Sequence, residues 1–141
     1  MGTDTGELGV AVCGVGWCAS QHIRAFMQNP QARLVCLCAR DAERARANLS
    51  NYGVEVHGAK ITTSFDEVLA SRDIDIVAIA TPNHLHAAEA VAAARAGKHL
   101  LIEKPTGLDV DELVRIRDAV RDAGVRTILT FPLVQPSRAS R

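Results

Sequence analysis

The stretch Leu8-Gly9-Val10-Ala11-Val12-Cys13-Gly14-Val15-Gly16-Trp17-Cys18-Ala19 decides the fold. Leu8 to Cys13 is a short apolar run rich in valine, the pattern of a strand buried on both faces. Gly14-Val15-Gly16 then breaks the chain. From Trp17 to Gln28 the residues Ala19, Ile23, Phe26 and Met27 recur at helical spacing until Asn29-Pro30 stops them. The order is strand, glycine turn, helix.

Outward from this unit the same alternation repeats. Arg33 to Cys38 reads as the second strand, and Asp41 caps a helix running to about Tyr52 with Gly53 as its stop. Val54 to His57 and Ile61 to Thr63 are weaker strand candidates, and Ser64-Phe65-Asp66-Glu67 has the capping-box form that opens a short helix through Leu69. Asp75 to Ala80 is a strongly apolar strand. Thr81-Pro82-Asn83 turns it into an alanine-rich helix ending at Gly97, with Asn83 as a plausible cap, and His99 to Ile102 is the next strand. Asp109 and Glu112 form a second capping box flanked by Leu108 and Leu113 at staple positions. That helix is expected to bury Leu113, Ile116 and Val120 and to stop at Gly124, before a last strand from Arg126 to Phe131.

Strands alternating with helices of this length predict an α/β fold, a doubly wound parallel sheet of about six strands with helices on both faces. The commonest dinucleotide-binding order for six such strands is 3-2-1-4-5-6. Residues 1–7 read as a loose start, 8–131 as one domain, and 132–141, interrupted by Pro132 and Pro136, as a polar linker. A chain of 141 residues is sized for one domain that buries roughly two-thirds of its unfolded surface.

Lys plus Arg and Asp plus Glu both number 16, so the net charge is zero. No run of like charges suggests a nucleic-acid or membrane-surface partner. The spacings of Cys13, Cys18, Cys36 and Cys38 match neither zinc patterns nor a C-x-x-C redox pair, so all four read as reduced core thiols and no metal site is expected. The polar start Met1-Gly2-Thr3-Asp4-Thr5-Gly6 is neither a signal peptide nor a myristoylation site, which points to a cytoplasmic protein.

The glycine turn carries the first chemistry. Gly14-x-Gly16-x-x-Ala19 follows a strand and opens a helix, the context in which this fingerprint signals dinucleotide binding. Gly14 permits the tight turn, Gly16 lets the backbone approach a pyrophosphate, and the small Ala19 allows close helix-strand packing. Trp17 and Cys18 open the helix, whose free N–H groups and partial positive charge would face the phosphates. About 20 residues on, where NAD binders carry an acidic residue for the ribose hydroxyls, stand Ala39 and Arg40. A small residue followed by a guanidinium suits a 2′-phosphate, which favours NADP over NAD. The competing readings are a solvated Arg40, and an Asp41 that plays the acidic role instead of capping its helix.

Thr81-Pro82-Asn83-His84-Leu85-His86 brings a hydroxyl, an amide and two imidazoles to the end of the fourth strand, although each could equally be a cap or a solvated side chain. Glu103-Lys104-Pro105 follows the fifth strand, at the end where open α/β sheets bind ligands. A lysine there either reaches water or, with a lowered pKa, passes the proton of a substrate hydroxyl, with Glu103 beside it to orient groups.

Taken together, Gly14-Val15-Gly16, Thr81-Pro82-Asn83-His84-Leu85-His86, Ala96-Gly97-Lys98-His99 and Glu103-Lys104-Pro105 resemble the amino-terminal domain of the Gfo/Idh/MocA oxidoreductases over about Leu8 to Phe131. The resemblance implies a Rossmann domain that binds NAD(P). Lys104 would match the catalytic lysine, and Thr81, Pro82, Asn83, His86 and Glu103 would lie on the nicotinamide side. It also implies a second α/β domain that covers the nicotinamide, for which nothing after Phe131 stands in, so the chain reads as truncated. Two functions follow as expectations. One is hydride transfer between NADP and a sugar or alcohol hydroxyl, completed by a second domain or partner chain. The other is a non-catalytic nucleotide-binding module that self-associates through the uncovered face.

Overall fold

The computed structural model of the chain describes residues 6–131. The expected loose start over 1–5 and the linker over 132–141 lie outside them. In chain order the elements are β1 (Leu8–Cys13), α1 (Trp17–Gln28), β2 (Ala32–Cys38), α2 (Ala42–Asn51), β3 (Lys60–Thr62), α3 (Phe65–Ala70), β4 (Ile76–Ile79), a 3-10 turn (Asn83–Leu85), α4 (His86–Arg95), β5 (His99–Glu103), α5 (Val110–Ala123) and β6 (Thr127–Thr130). The strands form one six-stranded sheet in the order β3-β2-β1-β4-β5-β6, and every pairing is parallel. Both match the expected doubly wound sheet.

Alternation along each strand builds two cores. Val10, Val12 and Leu37 pack with Ala19 and Ile23 of α1 and with Ala45 and Leu49 of α2 on one face. Ala11, Cys13, Cys36, Cys38, Val77 and Ile79 pack with Val68 of α3, four alanines of α4, and Ile116 and Ala119 of α5 on the other. The alanines let α4 lie close to the sheet, since a residue without a long side chain sets a short interlayer distance. One irregularity interrupts β1 and β2: Val10 registers with Leu34 but Ala11 with Cys36, so Val35 is bulged out.

Several local expectations change. Val54 to His57 is not a strand, because the Val54 N–H is taken by the carbonyl of Leu49 (2.8 Å) in closing α2 after Gly53. Only Lys60–Thr62 pairs with β2. Ser64 caps α3 through the Glu67 N–H (3.3 Å), yet the Glu67 carboxylate does not return to close the box. It accepts instead from Thr62 Oγ1 (2.8 Å) and Lys60 Nζ (3.0 Å). Asp109 caps α5 through the Glu112 N–H (2.8 Å), and Glu112 reaches the Leu108 N–H (2.7 Å). Asn83 is no cap; it begins the 3-10 turn. Leu113 is exposed and Ala119 takes its place in the core beside Ile116. Met27 and Cys18 are exposed too, so Cys18 is not a core thiol.

The amino end of the sheet is sealed by polar groups. Lys98, 8% exposed, donates from Nζ to the carbonyls of Ser71 (2.6 Å) and Ile74 (2.8 Å). The His99 Nδ1 accepts from the Arg126 N–H (3.1 Å). Ala96-Gly97-Lys98-His99 is thus a structural joint between α4 and β5, with Gly97 at φ 78° turning the chain. No helix among the described residues is long and apolar enough to cross a membrane.

Candidate functional site

A cleft of about 620 Å³ opens at the carboxyl ends of β1, β2 and β4, lined by residues of the glycine turn, the β2 end, and the Thr81-Pro82 turn. Its position is the switch point where the strand order reverses, between β1 and β4. Of the residues singled out from sequence, Gly14, Gly16, Arg40, Thr81 and Pro82 line it.

Two glycines act there in different ways. Gly14 has φ 92°, and a Cβ on it would come within 2.3 Å of the Ala80 carbonyl oxygen. It is required by the fold, because the backbone leaving β4 at Ala80 passes directly against it, and its N–H is fixed on the Cys38 carbonyl (2.8 Å). Gly16 has no such neighbour: a Cβ there would meet nothing within 4 Å. It leaves bare backbone on the cleft wall. The turn is braced from outside, since Asn48 Nδ2 of α2 donates to the Val15 carbonyl (2.7 Å).

The β2 end carries the charge. Asp41 Oδ1 accepts the Arg44 N–H (3.0 Å) as the cap of α2. Asp41 thus caps α2 and also lines the cleft. Arg40 and Arg44 both border the cleft, and the backbone contact of Asp41 leaves both guanidinium groups free of it. Arg44 was not singled out from sequence, although its place three residues after a cap puts it on the turn that faces the strand ends.

At the β4 end Thr81 Oγ1 donates to Glu89 Oε2 (2.5 Å). Burial raises the Glu89 pKa above the ordinary carboxylate range, against the lowering effects of the Thr81 hydroxyl and the charges of His86 and His84. His86 does not line the cleft. It is 1% exposed, with Nε2 2.7 Å from the Thr81 carbonyl and Nδ1 2.7 Å from that of Pro105. The ring therefore spans the two turns that leave β4 and β5. Asn83 is exposed on the 3-10 turn, and Trp17 and Cys18 are exposed at the start of α1.

The β5 end holds an ion pair not anticipated from sequence. His22 Nε2 of α1 lies 2.5 Å from Glu103 Oε1, with side-chain exposures of 17% and 15%. The Glu103 Oε2 accepts the backbone N–H of Lys104 (3.2 Å), and the Lys104 side chain is exposed. Burial pushes the Glu103 pKa up, but hydrogen bonds from His22 and Thr130, the His22 charge and the Lys104 N–H together bring it below the usual range. A depressed carboxylate pKa stabilises the fold above the unfolded value of about 4.3, and the contribution vanishes as pH falls through the folded value. Glu103→Gln is accordingly expected to be less stable than wild type at about pH 5 and above. The margin should close on further acidification; urea melts across pH 3 to 7 test this, and a margin that widens below pH 4 would contradict it. Among the described residues no group of three or more His, Cys, Asp or Glu is placed to hold a metal ion.

Comparison with known proteins adds an independent line. Residues 8–131 match the model of an oxidoreductase family described by its NAD-binding Rossmann fold, GFO_IDH_MocA. The chain is 44% identical over 121 residues to the uncharacterized oxidoreductase ORF334 of Rhizobium meliloti, covering 86% of this chain and 34% of that protein. It superposes on the WlbA dehydrogenase of Bordetella pertussis, solved with NADH and UDP-GlcNAcA, with a TM-score of 0.77 and 30% identity, over 88% of this chain and 37% of that one. It also superposes on the biliverdin reductase of Synechocystis sp. PCC 6803, solved with biliverdin and NADP+, with a TM-score of 0.75 and 26% identity over 86% and 37% of the two chains. The chain spans about a third of the length of the curated relatives it matches.

Proposed function

Since the chain belongs to the Gfo/Idh/MocA family of oxidoreductases, we propose that residues 8–131 are its nucleotide-binding domain, that the domain takes NADP in preference to NAD, and that it presents Lys104 to a sugar or alcohol hydroxyl. The bound dinucleotide would supply hydride exchange. The observation that carries the reading is the cleft itself: bare backbone at Gly16 beside a β2 end where Arg40 and Arg44 stand and Asp41 is occupied as a cap. Gly14 and Gly16 would hold the pyrophosphate at the start of α1, with Trp17 and Cys18 beside it. Arg40 would take the 2′-phosphate through a bidentate contact, with Ala39 in place of an acidic side chain at the strand end and the Asp41 carboxylate engaged by the Arg44 N–H.

On the nicotinamide side, Thr81, Pro82 and Asn83 would form the wall. His86 would set that wall from behind by holding the Thr81 and Pro105 carbonyls. Lys104, fixed at its backbone by Glu103, would accept or return the proton of the substrate hydroxyl. Substrate contacts and water exclusion are proposed to come from outside residues 8–131, from a second domain or a partner chain in the cytoplasm. The exposed Ile128, Leu129 and Phe131 at the β6 side offer that contact, or one with a second copy.

Trp17, the sole tryptophan and 63% exposed at the glycine turn, reports the test. Its fluorescence should change at about tenfold lower NADPH than NADH, and Arg40→Asp should erase or reverse that preference. Equal responses to the two would remove the Arg40 assignment, and no response to either would remove the nucleotide reading. Turnover of a panel of sugars and diols, lost in Lys104→Ala with binding kept, would establish the enzyme. Binding without any turnover, even with the rest of the relatives' length restored, would leave the non-catalytic module.

A further inference from the structure

We propose that Cys13 and Cys38 are a hydroperoxide-sensitive dithiol on the floor of the cleft, convertible to an intrachain disulfide. The bulge at Val35 is what creates the pair. Without it Cys13 would register with Leu37, whose side chain points to the opposite core; with it, Cys13 registers with Cys38 on the neighbouring parallel strand, and both join the same core. Neighbouring strands lie about 4.8 Å apart, within the Cα separation of about 4.4–6.8 Å that a disulfide spans. Both residues line the cleft, at 1% and 8% exposure. They are screened from bulk solvent and reached only from the site.

The two thiols are not equivalent. Cys38 is the more open of the two to the cleft, at 8% exposure against 1% for Cys13. Interaction between the thiols lowers the Cys38 pKa against burial and the charges of Glu89 and Glu67, and the same interaction, with burial, raises that of Cys13 well above the ordinary value. Accessibility and charge together make Cys38 the nucleophile and Cys13 the resolving thiol. Cys36 registers with Ala11, not with Cys13, and burial raises its pKa.

The chemistry balances with one hydroperoxide. The Cys38 thiolate attacks a peroxide oxygen, the O–O bond breaks, and the sulfur is oxidised to sulfenic acid while the peroxide is reduced to water or an alcohol. The Cys13 sulfur then attacks Cys38, the S–O bond breaks, the Cys13 proton leaves with the hydroxyl as water, and the S–S bond forms. Two thiols and one hydroperoxide become one disulfide, water and water or an alcohol. The crosslink would sit at the root of the glycine turn, because Cys13 precedes Gly14 and the Cys38 carbonyl holds the Gly14 N–H.

The test uses the full chain with hydrogen peroxide at a stoichiometric amount. The thiol titre should fall by two, and a non-reducing tryptic digest should join residues 1–24, which hold Cys13, to residues 34–40, which hold Cys38. A Cys18→Ser, Cys36→Ser variant should give the same link, reversed by dithiothreitol, and Cys13→Ser should stop at a sulfenic acid on Cys38 trapped by dimedone. Because residues 1–24 also hold Cys18 and residues 34–40 also hold Cys36, fragment-ion sequencing of the linked wild-type peptides must place the bond on Cys13 and Cys38, which decides even if a variant misfolds. A digest with no such link, with sulfinic acid at a single cysteine or only chain-to-chain crosslinks, would overturn the proposal. Its place in the cleft rests on the nucleotide reading for one further arm: bound NADPH should slow the reaction, and crosslinking at an unchanged rate while Trp17 reports binding would overturn that placement. Absence of NADPH binding would count against the nucleotide reading alone, since the link itself still tests the dithiol.

Discussion

Replacing Gly9 by alanine is expected to cost the domain about 3 kcal/mol or more, because the new methyl group has no room to relax into. A Cβ on Gly9 would lie 1.7 Å from the carbonyl oxygen of Asp73, a backbone atom, and 3.2 Å from Val35 Cγ2. The neighbours are not flexible side chains that could swing away. The Gly9 N–H donates to Asp75 Oδ2 (2.8 Å), and its carbonyl accepts the Asp75 N–H (2.8 Å). Moving the Asp73 to Asp75 segment to admit a methyl group would therefore break both bonds at the start of β1. Thermal melts should show a midpoint lower by roughly 10 °C or more. A drop of only a degree or two would mean that the segment yields without cost, and the argument from close approach would fail.

His86→Ala is the second large loss, expected at about 3 kcal/mol from the cavity together with loss of the ring's contact to buried carbonyl oxygen. The ring is buried and joins the Thr81 and Pro105 carbonyls, so its removal disconnects the β4 turn from the β5 turn. His86→Phe separates the two causes. Phenylalanine restores most of the volume but offers no donor, and it should remain less stable than wild type by about 1–3 kcal/mol. Chemical denaturation of the three proteins measures this; full recovery in the phenylalanine variant would assign the effect to packing alone.

Much of this architecture was legible in the residues. Seven candidate runs punctuated by helices announce the sheet, and six survive as strands with ends moved by a residue or two. The exception shows the physical limit. Val54 to His57 alternates as a strand would, yet its first N–H is consumed by the helix before it, and a pattern of side chains does not record which backbone groups are already paired.

The cleft follows the same division. Gly14, Gly16, Arg40 and Thr81 were legible because they sit next to strand ends, where chain direction alone fixes their place. Asn48 and Glu89 were not, because helix faces carry them there from elsewhere in the chain: Asn48 meets Val15 across 33 positions. The His22–Glu103 contact at the β5 end, across 81 positions, was hidden for the same reason. His86 was legible as important and misread in direction. The 3-10 turn over Asn83–Leu85 delays the start of α4 to His86 itself, and the ring lies behind the cleft wall instead of in it.

The contact between Gly9 and Asp75 also says something about how the domain assembles. They are 66 positions apart, and β4 is the second neighbour of β1 in the sheet. As the chain leaves the ribosome, β1, α1 and β2 can associate from nearby segments, whereas the seam between β1 and β4 has to wait until the middle of the chain has been made. Long-range closure of this kind is slow compared with local pairing. The rate-limiting event of folding would then be the docking of two half-sheets along one line. The cleft opens on that line, so its floor comes into existence only when the halves have joined.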